Sequence, residues 1–274
     1  MKLYVSVDME GITGLPDATY VDSSKHNYER GRKLMTDEVN YVIESAIANQ
    51  ASEILVNDSH SKMNNLLVED LYPDAQLITG DVKPLSMVQG LDSSCDGAIF
   101  LGYHARAAQP GVMSHSMTFG VRNFYINDVA VGELGLNAYL AGYYEVPILM
   151  VAGDDRVADE AEQLIPNIVT AVVKESISRS AVKTLTPKKA GVLLQNKTEK
   201  AIHNLSSAEP LTPPASPTLR IEFANYGQAE WASLMPGTKI EPNSTTVAFK
   251  AKDILEAYQA MLVMTELAMR TTFN

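Results

Sequence analysis

Asp8 and Glu10 stand two residues apart, just after the apolar run Leu3–Val7. In an extended segment that spacing sends both carboxylates out of one face. Two crowded carboxylates repel unless a cation lies between them or one takes up a proton. A second apolar run, Ile54–Val56, leads into Asn57-Asp58-Ser59-His60, and a third, Ala98–Leu101, into Gly102-Tyr103-His104. The five histidines are His26, His60, His104, His115 and His203, so two fall at strand ends and His115 comes shortly after. Carboxylates and imidazoles without thiolate suit zinc or another first-row divalent metal. Magnesium or calcium would more naturally be held by oxygen alone. Two metals roughly 3.5–4 Å apart need a bridging ligand, and a carboxylate such as Asp8 can bridge.

Each residue also has an ordinary explanation. Asp8 suits a turn or a helix N-cap, and Glu10 alone suits solvent. A strand-end histidine is commonly a hydrogen-bonded structural residue. Glu133 opens a helical pattern, where the macrodipole favours a carboxylate without any metal. The serines of Met113-Ser114-His115-Ser116-Met117 could satisfy a structural imidazole. Asp154-Asp155 reads as the cap of the following helix, His26 as exposed ahead of a helix, and His203 as a helix-end residue. Only the joint placement points to a metal centre.

The elements that must position these residues are read from apolar patterning. The runs Leu3–Val7, Ile54–Val56, Ala98–Leu101 and Val146–Ala152 are short, carry β-branched residues and lack clean alternation. That texture fits strands buried on both faces of a parallel sheet. Helical spacing spans Asn27 to Ala48 and Glu133 to Tyr144. Strands alternating with helices imply an α/β sheet, and ligands of such sheets bind beyond the carboxyl ends of the strands. Phe124–Ile126 and Val129–Val131 predict a hairpin about Asn127-Asp128. Further on come a helix over Val157–Leu164, a strand over Val169–Lys174 and a helix from Pro187 to about Asn204. A proline-dense connector over Pro210–Pro217 precedes strands near Thr218–Phe223 and Thr245–Lys250, and an amphipathic helix spans Asp253–Met269. The expected organisation is a metal-binding α/β catalytic domain over residues 1–160 and a smaller α/β domain over 161–274 that contributes oligomer contacts.

Composition limits the function classes. A length of 274 residues, 46% hydrophobic and 20% charged, is ordinary for a globular chain. The net charge of -11 disfavours nucleic-acid binding by bulk electrostatics. The one cysteine, Cys95, cannot form an intramolecular disulfide, which fits a reducing compartment. The N-terminus lacks the apolar stretch of about 7–15 residues that a signal peptide needs, and no run approaches the roughly 18 apolar residues of a membrane span. The expectation is a soluble cytoplasmic protein with no membrane partner.

At these residues the chain resembles the D-aminopeptidase family of dinuclear zinc peptidases encoded with bacterial dipeptide-transport operons. The resemblance rests on Ser6-Val7-Asp8-Met9-Glu10-Gly11, Asn57-Asp58-Ser59-His60, Gly102-Tyr103-His104-Ala105, Ser114-His115-Ser116 and Gly132-Glu133, and extends through Glu222-Phe223-Ala224-Asn225-Tyr226 to the last helix. It implies two Zn2+ per subunit: Asp8 bridging both, Glu10 and His60 completing one, His104 and Glu133 the other. It also implies His115 as the catalytic group beside them, and a homodecamer of two stacked pentameric rings.

The reaction so implied removes an N-terminal D-amino acid, such as D-Ala, from a short peptide by a metal-activated water. His115 would act as base, acid or oxyanion stabiliser, a direct nucleophilic role being less easily argued from physics. Two other classes compete. A phosphoesterase could use the same ligand types, although no glycine-rich phosphate loop is present and there is little basic clustering. A non-catalytic peptide-binding scaffold would hold no stoichiometric zinc.

Overall fold

The computed structural model describes residues 1–271. Its first half runs β1 (Lys2–Val7), α1 (Tyr28–Ala48), β2 (Glu53–Asp58), β3 (Ala75–Ile78), β4 (Gly97–Tyr103), β5 (Val121–Ile126), β6 (Val129–Val131) and α2 (Glu133–Tyr143). Next come β7 (Ile148–Asp154), α3 (Asp155–Leu164), β8 (Val169–Ser178), β9 (Ala181–Thr184) and α4 (Pro187–His203). The chain finishes with β10 (Thr218–Phe223), α5 (Tyr226–Ala232), β11 (Thr238–Ile240), β12 (Thr246–Lys250) and α6 (Ile254–Ala268).

Seven strands form one sheet in the order β3-β2-β1-β4-β7-β8-β9, parallel except for the last pairing. Every residue of β4 and β7 is buried, as a parallel sheet covered on both faces requires. The register sets the site. Val7 stands opposite Asp58 on one side and Leu101 on the other, so β1, β2 and β4 finish at one level. Asp8, Glu10, His60 and His104 therefore leave the same edge of the sheet.

α1 and α4 cover one face. Met35, Val39, Val42, Ile43 and Ala46 turn the apolar stripe of α1 against Leu3, Val5 and Val7. Burying each larger side chain contributes roughly 1.5–3 kcal/mol. The other face is covered by α2, α6 and an antiparallel sheet ordered β11-β12-β10-β5-β6, whose Leu219, Ile221 and Phe223 share a core with Phe100 and Tyr103. A polar thread crosses this core. The Tyr258 hydroxyl donates to Asn137 Oδ1 (2.9 Å), Asn137 Nδ2 donates to the Tyr103 hydroxyl (2.9 Å), and that hydroxyl meets Ser6 Oγ (2.7 Å).

The expected fold class holds: a mostly parallel sheet with helices on it, joined to a smaller α/β unit built largely from the C-terminal part. The division at residue 160 does not match the sheets. β8 and β9 lie beyond that position yet extend the parallel sheet, while β5 and β6 lie before it yet pair with β10. The change of texture near Asp155 coincides with the start of α3.

Candidate metal centre

The segment after β1 lies directly against the end of β4. The Asp8 amide donates to the Leu101 carbonyl (2.8 Å) and the Gly11 amide to the Gly102 carbonyl (2.7 Å). A Cβ on Gly102 would collide with the Asp8 carbonyl, and its φ of +70° is one that L side chains rarely adopt. Glycine is thus required here for Asp8 and His104 to meet.

After β2, the Asp58 carboxylate accepts from the amides of Asn65 (2.5 Å) and Leu66 (2.8 Å), closing the loop behind His60. Lys83 Nζ donates to Asn57 Oδ1 (2.8 Å) and the Asp58 carbonyl (2.6 Å). Glu133 is the first residue of α2, and its Oε1 accepts from the Met117 amide (2.5 Å).

Three imidazoles each have one ring nitrogen on a backbone carbonyl. His60 Nε2 meets Val21 O at 2.8 Å, His104 Nδ1 meets Ala105 O at 3.0 Å, and His115 Nδ1 meets Met113 O at 2.9 Å. A carbonyl only accepts, so these nitrogens carry protons, and the opposite nitrogens are the ones a metal would draw on in the neutral rings. Those opposite nitrogens face carboxylates. His60 Nδ1 is 2.9 Å from Glu10 Oε2 and 3.3 Å from Asp8 Oδ1. His104 Nε2 is 3.5 Å from Asp8 Oδ2 and 3.3 Å from Glu133 Oε2.

Despite this proximity, Asp8 Oδ2, Glu10 Oε2 and His104 Nε2 are buried without a properly directed hydrogen bond. Atoms that crowd together without bonding one another fit a shared cation. Ligands about 2.0–2.1 Å from a tetrahedral zinc stand roughly 3.3–3.4 Å apart, close to the separations found. Asp8, Glu10 and His60 form one group with ligand atoms within 4.8 Å of one another, and Asp8, His104 and Glu133 form a second. Asp8 presents a different oxygen to each. Glu10, His104 and His115 make a third, overlapping combination. His115 is the outlying member: its Nε2 comes only to 3.8 Å from Glu133 Oε1, and its ring stacks on His104 with centroids 4.3 Å apart.

The charges are strongly coupled. Burial pushes Asp8 up to about 7, with the Glu10 charge adding to it. Burial also opposes charge on Glu10, but His60 and His104 overcome it and hold that carboxyl well below its usual range. Burial likewise opposes the imidazolium form of His60 and His104, yet Glu10 and Glu133 respectively raise both well above the ordinary histidine value. His115 moves the other way, depressed by burial and then by the charge of His104.

All six residues expected from the sequence thus meet in one place. Asp154 accepts from the Val157 amide (3.0 Å) as an N-cap, outside the centre, and His26 and His203 are exposed. Sequence reasoning missed Asp58, Asn65 and two buried lysines, Lys83 and Lys174. The signal for Lys174 was a charge at the end of an otherwise apolar strand pattern.

The family model described as D-aminopeptidase matches residues 1–263. The chain belongs to the D-aminopeptidase family. It is 71% identical over 273 residues to the D-aminopeptidase of Bacillus subtilis (strain 168), covering 100% of both chains. Among solved structures it is similar to the zinc-dependent D-aminopeptidase DppA from Bacillus subtilis, a self-compartmentalizing protease, with a TM-score of 0.99, 70% identity and 100% coverage of each chain.

Proposed function

We infer that this chain is a zinc-dependent D-aminopeptidase that removes an N-terminal D-residue, such as D-alanine, from short peptides. The observation that carries this reading is the convergence of two three-ligand groups on Asp8, in a chain 71% identical to a D-aminopeptidase.

In this reading Asp8, Glu10 and His60 would hold one zinc ion, and Asp8, His104 and Glu133 would hold a second. When bound, the ions supply Lewis acidity, polarising a peptide carbonyl and lowering the pKa of water towards about 7. The protein presets the rest. The Val21 and Ala105 carbonyls fix the tautomers of His60 and His104, so both enter with lone pairs inward. The Met113 carbonyl does the same for His115, leaving its Nε2 free to take a proton from the attacking water and return it to the departing amine. His115 lies at the edge of the cluster, so it acts on the substrate rather than as a ligand.

The finer assembly reading is a decamer of two stacked pentameric rings acting in the cytoplasm. Its support is the self-compartmentalizing relative, the exposed Tyr226, Trp231 and Leu234 along and just after α5, and the free, buried Cys95. Among the described residues no helix is long and apolar enough to cross a membrane. Native mass spectrometry would give ten copies; a monomer would overturn that assembly.

Metal analysis joined to hydrolysis of paired D- and L-alanyl dipeptides tests the function. Two zinc ions per chain and D-selective turnover are expected. Near-zero zinc would sink the site, and L-selective or phosphoesterase turnover would remove the substrate reading while leaving the metals.

A further inference from the structure

Lys174 lies in β8 with 1% of its surface exposed. Its Nζ is 2.5 Å from the Glu10 carbonyl oxygen, 2.8 Å from that of Ile12 and 2.8 Å from that of Leu15. An ammonium has three N–H donors, and all three are spent on one short loop. Its partners are carbonyls rather than carboxylates. A buried cation is costly unless fully hydrogen-bonded, and an apolar residue in its place would strand the Glu10 and Leu15 carbonyls and leave that of Ile12 only the Leu15 amide at 3.4 Å.

The loop is the one that carries Glu10. The Glu10–Gly11 peptide is held at both ends, its carbonyl by Lys174 and its N–H by the Gly102 carbonyl at 2.7 Å. With that plane fixed, the Glu10 side chain starts from a set point and meets His60 Nδ1 at 2.9 Å. Among the described residues no other lysine hydrogen-bonds to this loop; Lys83 serves the end of β2 instead.

We propose that Lys174 is a positioning residue for one half of the metal centre: by clamping the Glu10–Leu15 loop it sets the Glu10 carboxylate against His60, and so governs the affinity of the zinc these two residues share. The proposal rests on Glu10 and His60 being ligands of one zinc. It does not extend to His104 and Glu133, which reach the centre from β4 and α2 without contact to Lys174.

The test compares zinc-loaded wild-type protein with Lys174→Met and with Leu219→Ala, a core truncation in the antiparallel sheet remote from the loop. Chelator competition yields the two zinc dissociation constants, and hydrogen exchange of the metal-free proteins tracks the amides of residues 10–15. In Lys174→Met, one zinc is expected to bind about 10–100-fold more weakly, the other to keep its wild-type constant, and the loop amides to exchange faster. Leu219→Ala should lower Tm while leaving both constants and the loop amides unchanged. If Lys174→Met does not fold, Lys174→Gln, which keeps part of the donor set, carries the same readouts with a smaller shift in the same zinc. Unchanged constants in the Lys174 variant, or equal weakening of both zincs, would overturn the proposal. Fewer than two zincs in the wild-type protein would instead overturn the ligand assignment, and the role of Lys174 with it; because that result is read in the wild type, the two failures are distinct.

Discussion

The two halves of the centre are supported in different ways. Glu10 and His60 depend on one local loop closure and on groups remote in the chain. His60 is oriented by Val21, its loop is closed by Asp58 on Asn65 and Leu66, and the Glu10 peptide is pinned by Lys174 and Gly102. His104 and Glu133 depend on nearer ones. His104 donates to the carbonyl of its own neighbour Ala105, and Glu133 opens a helix and accepts from Met117. One half is therefore an outcome of tertiary packing, whereas the other is largely written into a strand end and a helix start. Asp8 belongs to both.

The largest expected effect comes from that shared position. Asp8→Asn should lose both zinc ions and reduce peptide hydrolysis to background, as metal content and turnover together would report; a variant retaining one tightly bound zinc would break the bridging assignment. Glu10→Gln and Glu133→Gln should each lose one zinc and keep the other. If the two variants give the same cobalt-substituted spectrum, the halves are not distinct. Next comes His115→Ala, expected to keep both metals while kcat falls roughly 10²–10⁴-fold; full turnover would remove His115 from the mechanism.

The smallest effect concerns stability beside the Glu10 loop. Glu38 is buried, accepts from the Thr13 amide at 2.9 Å, and has its pKa raised by burial from 4.5 to about 7. Because the folded state holds this proton more tightly than the unfolded chain, stability falls as pH rises from about 4.5 to about 7, and the full penalty persists above that. Glu38→Gln should raise the stability of the metal-free protein at about pH 8 by at most about 3 kcal/mol and leave it little changed near pH 4. Denaturant melts at the two pH values measure this, and an equal shift at both would show that Glu38 charge is not the cause.

Much of this was legible in the sequence because the parallel strands announce themselves. Unbroken apolar runs located β1, β2, β4 and β7, and the polar residues at the ends of those runs located Asp8, His60 and His104. β3, β9 and β11 were missed because they are short outer strands whose residues are mostly half-exposed, leaving no apolar run to detect. The seven-residue α5 is too short for a helical period to stand out. The pairing of β5 with β10 escaped because it joins segments nearly a hundred residues apart. Lys174 was seen only as the end of a strand, since its three acceptors lie about 160 residues away and no local spacing encodes them.

That separation of 164 residues between Lys174 and Glu10 also orders events in time. Synthesis releases the N-terminal part of a chain first. A nascent chain holds Asp8, Glu10, His60, His104 and Glu133 once residue 133 has emerged, yet the loop bearing Glu10 lacks its clamp until β8 is made. On the role proposed for Lys174, tight binding of the zinc shared by Glu10 and His60 thus waits on a late segment, after most of the backbone has been made.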